Sequence, residues 1–476
     1  MNRNIYKLAP HSVIHFIGIG GTGMSGLAKF SHAFGYAVQG SDAKHSSTLD
    51  ELNALGIKTF AGHSAEHIIP ETGLIVISAA IKDENPELAY AKKLKIPIIK
   101  YAALLGELTQ HYETVAVAGC HGKTTTTSMI AHILRHSGRN PSYVIGGNAP
   151  DLEGNSNAGT GRNMVVEACE YDRSFLNLHP RMEVITNIEE DHLDYYKDIN
   201  DISDAYIDFI RLLRHDDYLL VCADNPNAVR AARHTKSYVE TYGVLNQNAV
   251  WSARNIRLRD GIRHFELFKE ENFFDNFSLR LPGYHNITNA IASIVIAHKL
   301  GVHSPEIKSA LDAFRGVERR MEIIGKIGDN IVMDDYGHHP TEIKTVYEAL
   351  REFYPGYGIC LIFQPHQHSR LRMLMNDFVQ VLKEFDYVLV PDIFYARDSA
   401  EEVKKTHATD LVKLLQEKGT QAKYISNFDE IVKFAGVFAQ SLPCLEFGAA
   451  EKIVIITMGA GDVFMVSHGL VRRNTR

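Results

Sequence analysis

TVAVAGCHGKTTTTSMI, residues 114–130, passes from a short apolar strand through a glycine turn into a helix opened by a lysine and four threonines. Strand, glycine turn and Lys-Thr at a helix start are the parts of a phosphate-cradling P-loop. In that reading the backbone N–H groups of Gly119, His121 and Gly122 point into one concavity. Lys123 reaches the outer phosphates, and a threonine hydroxyl of the helix start is placed to hold Mg²⁺. Cys120 and Thr125 complete the predicted ATP-binding stretch. The full pattern asks for glycine at 117, where this chain has Val117. An ordinary strand-to-helix turn is the plain alternative, but Gly-Lys-Thr between an apolar strand and a helix argues against it. The segment therefore predicts a parallel α/β sheet with a nucleoside triphosphate at its carboxyl edge.

More than a hundred residues precede this loop, and they carry a second glycine fingerprint, GIGGTGMSG at 18–26. It follows the apolar run Val13–Ile17 and opens a helix. Gly18 and Gly20 let the chain turn and a diphosphate approach, Gly21 and Thr22 lie within the turn, and Gly23 permits close helix-to-strand packing. Asp42, in GSD at 40–42, ends the next strand, where a carboxylate can accept ribose hydroxyls. Taken alone this fingerprint suits a nicotinamide or flavin nucleotide, or any other nucleoside diphosphate. Together the two glycine turns predict two different nucleotides on one chain.

At 476 residues the length suggests about three domains. Apolar residues at 45% and charged residues at 22% are those of a water-soluble globular protein. A net charge of −7 argues against a nucleic-acid binder. No apolar run is long enough for a bilayer, so membrane insertion is not expected, and the first residues lack a signal-peptide pattern. Five scattered cysteines (120, 169, 222, 360 and 444) fit a reducing cytoplasm better than a disulfide framework.

Three stretches of alternating strands and helices follow one another. The first has strands at Val13–Ile17, Ala37–Gln39, Leu74–Ile77 and Pro97–Ile99. The second has Val115–Ala118, Asn163–Glu167, Val184–Asn187 and Tyr218–Cys222, then a polar–apolar alternation over 250–281 read as a few antiparallel strands. Helices at Asn286–Leu300 and Pro305–Phe314 close it. The third has Ile331–Asp334, Gly358–Phe363, Tyr387–Val390 and Ile453–Thr457. The predicted fold is α/β with three consecutive domains: a Rossmann-like domain at 1–108, a P-loop domain with a parallel sheet and a small antiparallel portion at 109–318, and a Rossmann-like domain at 319–476.

Several polar clusters fall at predicted strand ends. Glu170 follows Asn163–Glu167, and NIEEDHLD at 187–194 follows the strand beginning at Val184, both at the edge where such sheets bind ligands. Glu170 and His192 beside triphosphate oxygens would hold Mg²⁺. Singly, each reads as a helix-cap neighbour or a satisfied surface histidine, and Glu189, Glu190 and Asp191 read as a solvated loop. Asn286 and Asn289 lie one helical turn apart, where their amides can read a purine edge; N-capping by Asn286 is the other reading. DDYGHHP at 334–340 and QPHQHSR at 364–370 end two strands of the third stretch. Histidine, arginine and aspartate at one edge suit the carboxylate and amine of an amino acid. No spacing among these histidines makes a zinc signature.

These motifs, in this order, resemble the Mur ligases over essentially the whole chain, through GIGGTGMSGLA at 18–28, GKTTTT at 122–127, DDYGHHPTEI at 334–343 and FQPHQHSR at 363–370. The resemblance implies three domains that bind a UDP-sugar, ATP and an amino acid in chain order. It also implies ATP-dependent ligation of L-alanine to UDP-N-acetylmuramate through an acyl phosphate. The implied catalytic set is Lys123, Glu170, His192, Arg320 and Asp335, with Asn286, Asn289, Arg320 and Asp335 on ATP. Thr124, Glu170 and His192 would hold Mg²⁺, with Mn²⁺ as a substitute. Ser41, Asp42 and His63 match uridine-diphosphate contacts; Tyr336, His338, His366 and Arg370 match the amino-acid pocket. The missing glycine at Val117 fits the shorter Gly-x-x-Gly-Lys-Thr form of these ligases.

There are departures from the family. Relatives often carry arginine at the position of Gln367, threonine at Cys120 and aspartate at Cys169. Residues 201–211 contain no lysine, so the carbamoylated lysine of some sister ligases is not expected. Other readings are a recycling ligase that adds a tripeptide to the same sugar nucleotide, a dinucleotide-dependent oxidoreductase using the first glycine turn, and a non-catalytic nucleotide-binding relative. The expected partners are small molecules, in a cytoplasmic monomer or homodimer.

Overall fold

The computed structural model describes residues 8–78, 80–152, 154–192, 195–395, 398–440 and 450–474. Asp194 and Cys444 of the sequence reading lie outside them. The described residues form three sheets, distributed over two compact units: 1–280 with 286–315, and 281–285 with 316–476.

In the first unit, β1 (Val13–Ile17), β2 (Ala37–Asp42), β3 (Lys58–Ala61), β4 (Thr72–Ile77) and β5 (Ile98–Lys100) make an all-parallel sheet in the order β3-β2-β1-β4-β5. The order reverses at β1, so the crevice beyond its carboxyl end receives the first glycine turn. The helix Thr22–Ala33 follows, burying Met24, Leu27, Ala28 and Phe30. Helix Tyr101–Thr109 then leads into the second sheet.

That sheet has ten strands: β6 (Glu113–Ala118), β7 (Ser142–Ala149), β8 (Gly154–Asn157), β9 (Asn163–Glu167), β10 (Met182–Ile185), β11 (Tyr218–Cys222), β12 (Tyr238–Gly243), β13 (Trp251–Arg259), β14 (Ile262–Lys269) and β15 (Asn272–Leu279). Their order is β15-β14-β13-β12-β11-β10-β6-β9-β7-β8. The centre is parallel and buried on both faces, which explains the unbroken apolar runs TVAVA and YLLVC. The expected antiparallel portion is the β13–β15 meander, where one face is solvated and residues alternate between buried and exposed. The two sheets of this unit share a continuous apolar core, from Phe16 and Leu27 through Leu104 and Leu108 to Ala116, Val166 and Phe209.

In the second unit, β16 (Glu322–Ile327), β17 (Asn330–Asp335), β18 (Gly358–Phe363), β19 (Tyr387–Val390), β20 (Gln421–Tyr424) and β21 (Ile453–Met458) are ordered β16-β17-β21-β18-β19-β20. Only β16 runs antiparallel. Separate apolar clusters cover its two faces, one around Met333, Leu361 and Val388 and the other around Val332, Ile362 and Leu389.

Six strands lay outside the sequence reading: β3, β7, β8, β12, β16 and β20. β3, β8, β16 and β20 sit at sheet margins, where one flank is solvated and sequences such as KTFA and QAKY carry no apolar run. The strand read as Val184–Asn187 closes at Ile185, because Thr186 and Asn187 turn away to hold the P-loop. The helix read from Asn286 begins at Tyr284, so Asn286 lies inside the first turn and is not its N-cap.

Candidate active site

The P-loop connects β6 to the helix Lys123–His136. Gly119 and Gly122 take φ of +143° and +81°, a region that L side chains rarely adopt. Space is equally restrictive. A Cβ on Gly119 would overlap the Thr186 hydroxyl, and one on Gly122 would lie 2.6 Å from Asn289 Oδ1.

The turn is braced from the neighbouring strand. Cys120 N donates to Asn187 O (3.2 Å) and His121 N to Asn187 Oδ1 (2.9 Å). Thr186 Oγ1 and Asn187 Nδ2 donate back to His121 O. The His121 N–H is therefore engaged with Asn187, contrary to the expectation that it points at phosphate. A helix start leaves its first N–H groups without an intrahelical partner, and such groups can receive an anion. Cys120 ties the loop to the next segment: its thiol donates to Glu189 O and accepts from Glu189 N, each at 3.2 Å.

Lys123 curls over the loop, donating to Gly119 O, to Cys120 O (3.1 Å) and to Glu170 Oε1 (2.9 Å). Burial opposes the charge of Lys123, but Glu170 foremost holds its ammonium above the ordinary lysine range. Burial likewise works to raise the Glu170 carboxyl, and Lys123 followed by His192 brings it below its usual value. The pair is thus charged at any working pH. Thr124 Oγ1 donates to Glu167 Oε1 (3.1 Å), whose other oxygen accepts from Gly146 N (2.8 Å). Thr125 is buried in the same turn. Asn289 closes the far side, accepting from Thr126 and donating to Asn286 Oδ1 (3.2 Å).

Glu170 and His192 come together as the sequence suggested, with His192 Nε2 3.5 Å from Glu170 Oε1. His192 holds a left-handed φ of +51° and stands edge-on against Tyr171. Asp191 joins them. It is 8% exposed, and donor atoms of Glu170, Asp191 and His192 lie within 4.8 Å of one another. Among the described residues this is the one group of acidic, histidine or cysteine side chains so placed. Glu170 Oε2 and His192 Nδ1 are buried there without a hydrogen-bond partner. A divalent cation fits such a donor set, two carboxylates and an imidazole beside Lys123.

Reading Asp191 as part of a solvated acidic loop was incorrect: the turn after β10 folds it inward. Glu167, the last residue of β9, was also missed as a partner of Thr124. Its place at a strand's carboxyl end, three residues before Glu170, was the available signal.

Around the first glycine turn, Gly18 has φ +86° and Gly20 N donates to Asp42 Oδ2 (2.9 Å). Gly21 caps the helix Thr22–Ala33, and Gly23 faces Tyr101. Ser41, expected as a uridine-diphosphate contact, is instead fully buried. Its hydroxyl bonds to Glu87 (2.5 Å) and lies 2.9 Å from His63 Nδ1. Glu87 also accepts from His67 and meets His15. Burial opposes its charge, yet His15, Ser41 and His67 lower its pKa to about 2.

In the second unit, His338 stands 5.6 Å from His366 between ring centres, and Arg370 Nη1 lies 3.3 Å from His366 Nδ1. Tyr336 meets His338 edge-on, and Phe394 stacks on His366. The four predicted amino-acid residues therefore converge. Gln367 is buried beside them with φ +69°. Asp335 accepts from Met321 N (2.8 Å) and Gly337 N. Burial, only partly offset by Arg320, pushes its carboxyl up to about 6.

Three family models match in succession: the Mur ligase family catalytic domain over 13–113, the Mur ligase middle domain over 117–297 and the Mur ligase glutamate ligase domain over 319–461. The chain is 42% identical to UDP-N-acetylmuramate–L-alanine ligase of Acetivibrio thermocellus, over 96% of this chain and 94% of that one. It is 38% identical to the enzyme of the same name from Aquifex aeolicus, over 91% and 96%. Among solved structures, UDP-N-acetylmuramate-alanine ligase from Thermotoga maritima superposes with a TM-score of 0.81 at 28% identity, covering 97% and 99%. A murein peptide ligase from Psychrobacter arcticus shares the fold, with a TM-score of 0.72 at 24% identity over 97% and 98%.

Proposed function

Because the chain belongs to the Mur ligase family, we propose that it joins L-alanine to the lactyl carboxylate of UDP-N-acetylmuramate at the expense of ATP, a step of peptidoglycan synthesis. A carboxylate oxygen of the sugar nucleotide attacks the γ-phosphorus, the bond to the β-phosphate oxygen breaks and ADP leaves. The neutral amine of alanine then attacks the acyl carbon, expelling phosphate and forming the amide. Phosphoryl transfer needs mainly positioning and charge compensation. Lys123 is the fixed cation at the loop, and the pair it makes with Glu170 (2.9 Å) is the observation that carries this reading.

Gly119, Cys120, His121, Gly122, Thr124 and Thr125 shape the triphosphate cradle, and Asn286 and Asn289 meet adenine. Glu170, His192 and Asp191, with Thr124 beside them, would hold Mg²⁺, which supplies positive charge against the phosphate oxygens. Gly18, Gly20, Gly21, Thr22, Gly23, Asp42 and His63 bind the uridine diphosphate, with Ser41 and Glu87 supporting His63 from below. Tyr336, His338, His366 and Arg370 receive alanine, and Arg320 and Asp335 act on ATP. Domains at 1–108, 109–318 and 319–476, and a cytoplasmic location, belong to the same proposal.

The test is ATP-dependent phosphate release with UDP-N-acetylmuramate and each of alanine, glycine, serine and a muropeptide tripeptide. Alanine is expected to give the highest turnover. A tripeptide that outcompetes alanine would replace this reading with the recycling ligase. Tight NADH or NADPH binding that UDP-sugar cannot displace would favour the oxidoreductase.

A further inference from the structure

Tyr101 stands against the first glycine turn. It is the first residue of the helix that follows β5. Its ring packs on the first glycine turn so closely that a Cβ on Gly23 would come within 2.9 Å of Cζ and 3.0 Å of Oη. On the other side, its helix packs along the segment Tyr171–Asn177 that follows Glu170. The adjoining residue Lys100 donates to Asp172 Oδ2 (3.1 Å), fixing the start of the helix against that segment. Gly106 gives the close approach further along, where a Cβ would run into the backbone of Asn177.

The phenol is thus held against Gly23, on a helix that packs beside the segment following Glu170. Burial raises its pKa, with Cys169 and Glu167 adding to the effect, so the hydroxyl keeps its proton at any working pH. Among the described residues no hydrogen bond is made by Tyr101 Oη. Tyr101 is half-buried and its hydroxyl is not sealed from solvent, so it is open to an acceptor on a ligand at the glycine turn.

A sugar nucleotide anchored by its diphosphate at the first glycine turn must carry its carboxylate from there to the γ-phosphate above Lys123, and Tyr101 stands against the turn from which it sets out. We propose that Tyr101 is a catalytic residue whose hydroxyl donates a hydrogen bond to the lactyl carboxylate that is to be phosphorylated, a role that rests on the reaction proposed above. The contact fixes which carboxylate oxygen faces phosphorus. It also offsets like-charge repulsion as two anions approach.

Tyr101→Phe removes only the oxygen, and its folding is checked by thermal melting. Binding of UDP-N-acetylmuramate is compared with binding of UDP-N-acetylglucosamine, which lacks the lactyl carboxylate. A hydrogen bond to a charged group predicts a loss of roughly 10- to 100-fold in affinity for the first ligand. Affinity for the second, and for ATP, stays within about twofold. Equal losses for both sugar nucleotides, or no loss for either, would overturn the proposal. Alanine-dependent turnover of the unsubstituted protein is measured in parallel. Its absence would remove the parent reaction, whereas full turnover with an unaltered Y101F variant removes only the role of Tyr101.

Discussion

Lys123 and Glu170 are individually costly to bury, and each makes the other's charge tolerable. Taking one partner from such a pair costs about 3–5 kcal/mol, because the remaining charge is stranded. Glu183 shows the opposite case. It is fully buried in β10, neither carboxylate oxygen has a hydrogen-bond partner, and burial with Asp217 nearby pushes its pKa well above the ordinary value. The folded state therefore keeps a proton that the unfolded chain releases. Below the unfolded pKa this costs nothing. As pH rises above it, stability falls by about 1.4 kcal/mol per pH unit until the folded group ionises. Glu183→Gln should remove that dependence: its melting temperature gains on the parent between pH 5 and pH 8 and not at pH 4. Parallel melting-temperature profiles for the two proteins would contradict this account of Glu183.

At the scale of elements, the P-loop is a backbone device held in place by the turn after β10. Gly119 has both an unusual φ and no room for a side chain, since Thr186 fills the space. Gly119→Ala must shift either the loop or Thr186, and Thr186 also anchors His121 O (2.6 Å). The expected outcome is a loss of at least tenfold in ATP affinity by calorimetric titration; ATP binding at parental affinity would show that the loop tolerates the shift. The glycine turns, Lys123 and the central strands were legible because each depends on local chemistry: runs of apolar residues, φ > 0, a cation beside an anion cradle. Asp191 was not legible. An acidic trio after a strand reads as solvated, and only the fold of the turn decides that one of the three points inward.

For the whole molecule, the expectation concerns linkage between ligand and fold. A ligand that binds only the folded state stabilises it by about 2.7 kcal/mol at a hundredfold excess over Kd. ATP with Mg²⁺ should therefore raise the melting temperature of this protein by a few degrees. Lys123→Ala should lose most of that shift, and an undiminished shift in that variant would count against Lys123 as the triphosphate contact. The sequence by itself determined the α/β class, two glycine turns in order and the family, and it supplied nearly every residue proposed for the site, because these rest on patterns within about twenty residues. The tertiary structure alone decided which distant groups share one space. It turned Asp191 inward beside Glu170, spent the His121 N–H on Asn187, sank Ser41 onto Glu87, and set Tyr101 against Gly23. Those outcomes depend on how sheets and helices pack, and no local spacing encodes them.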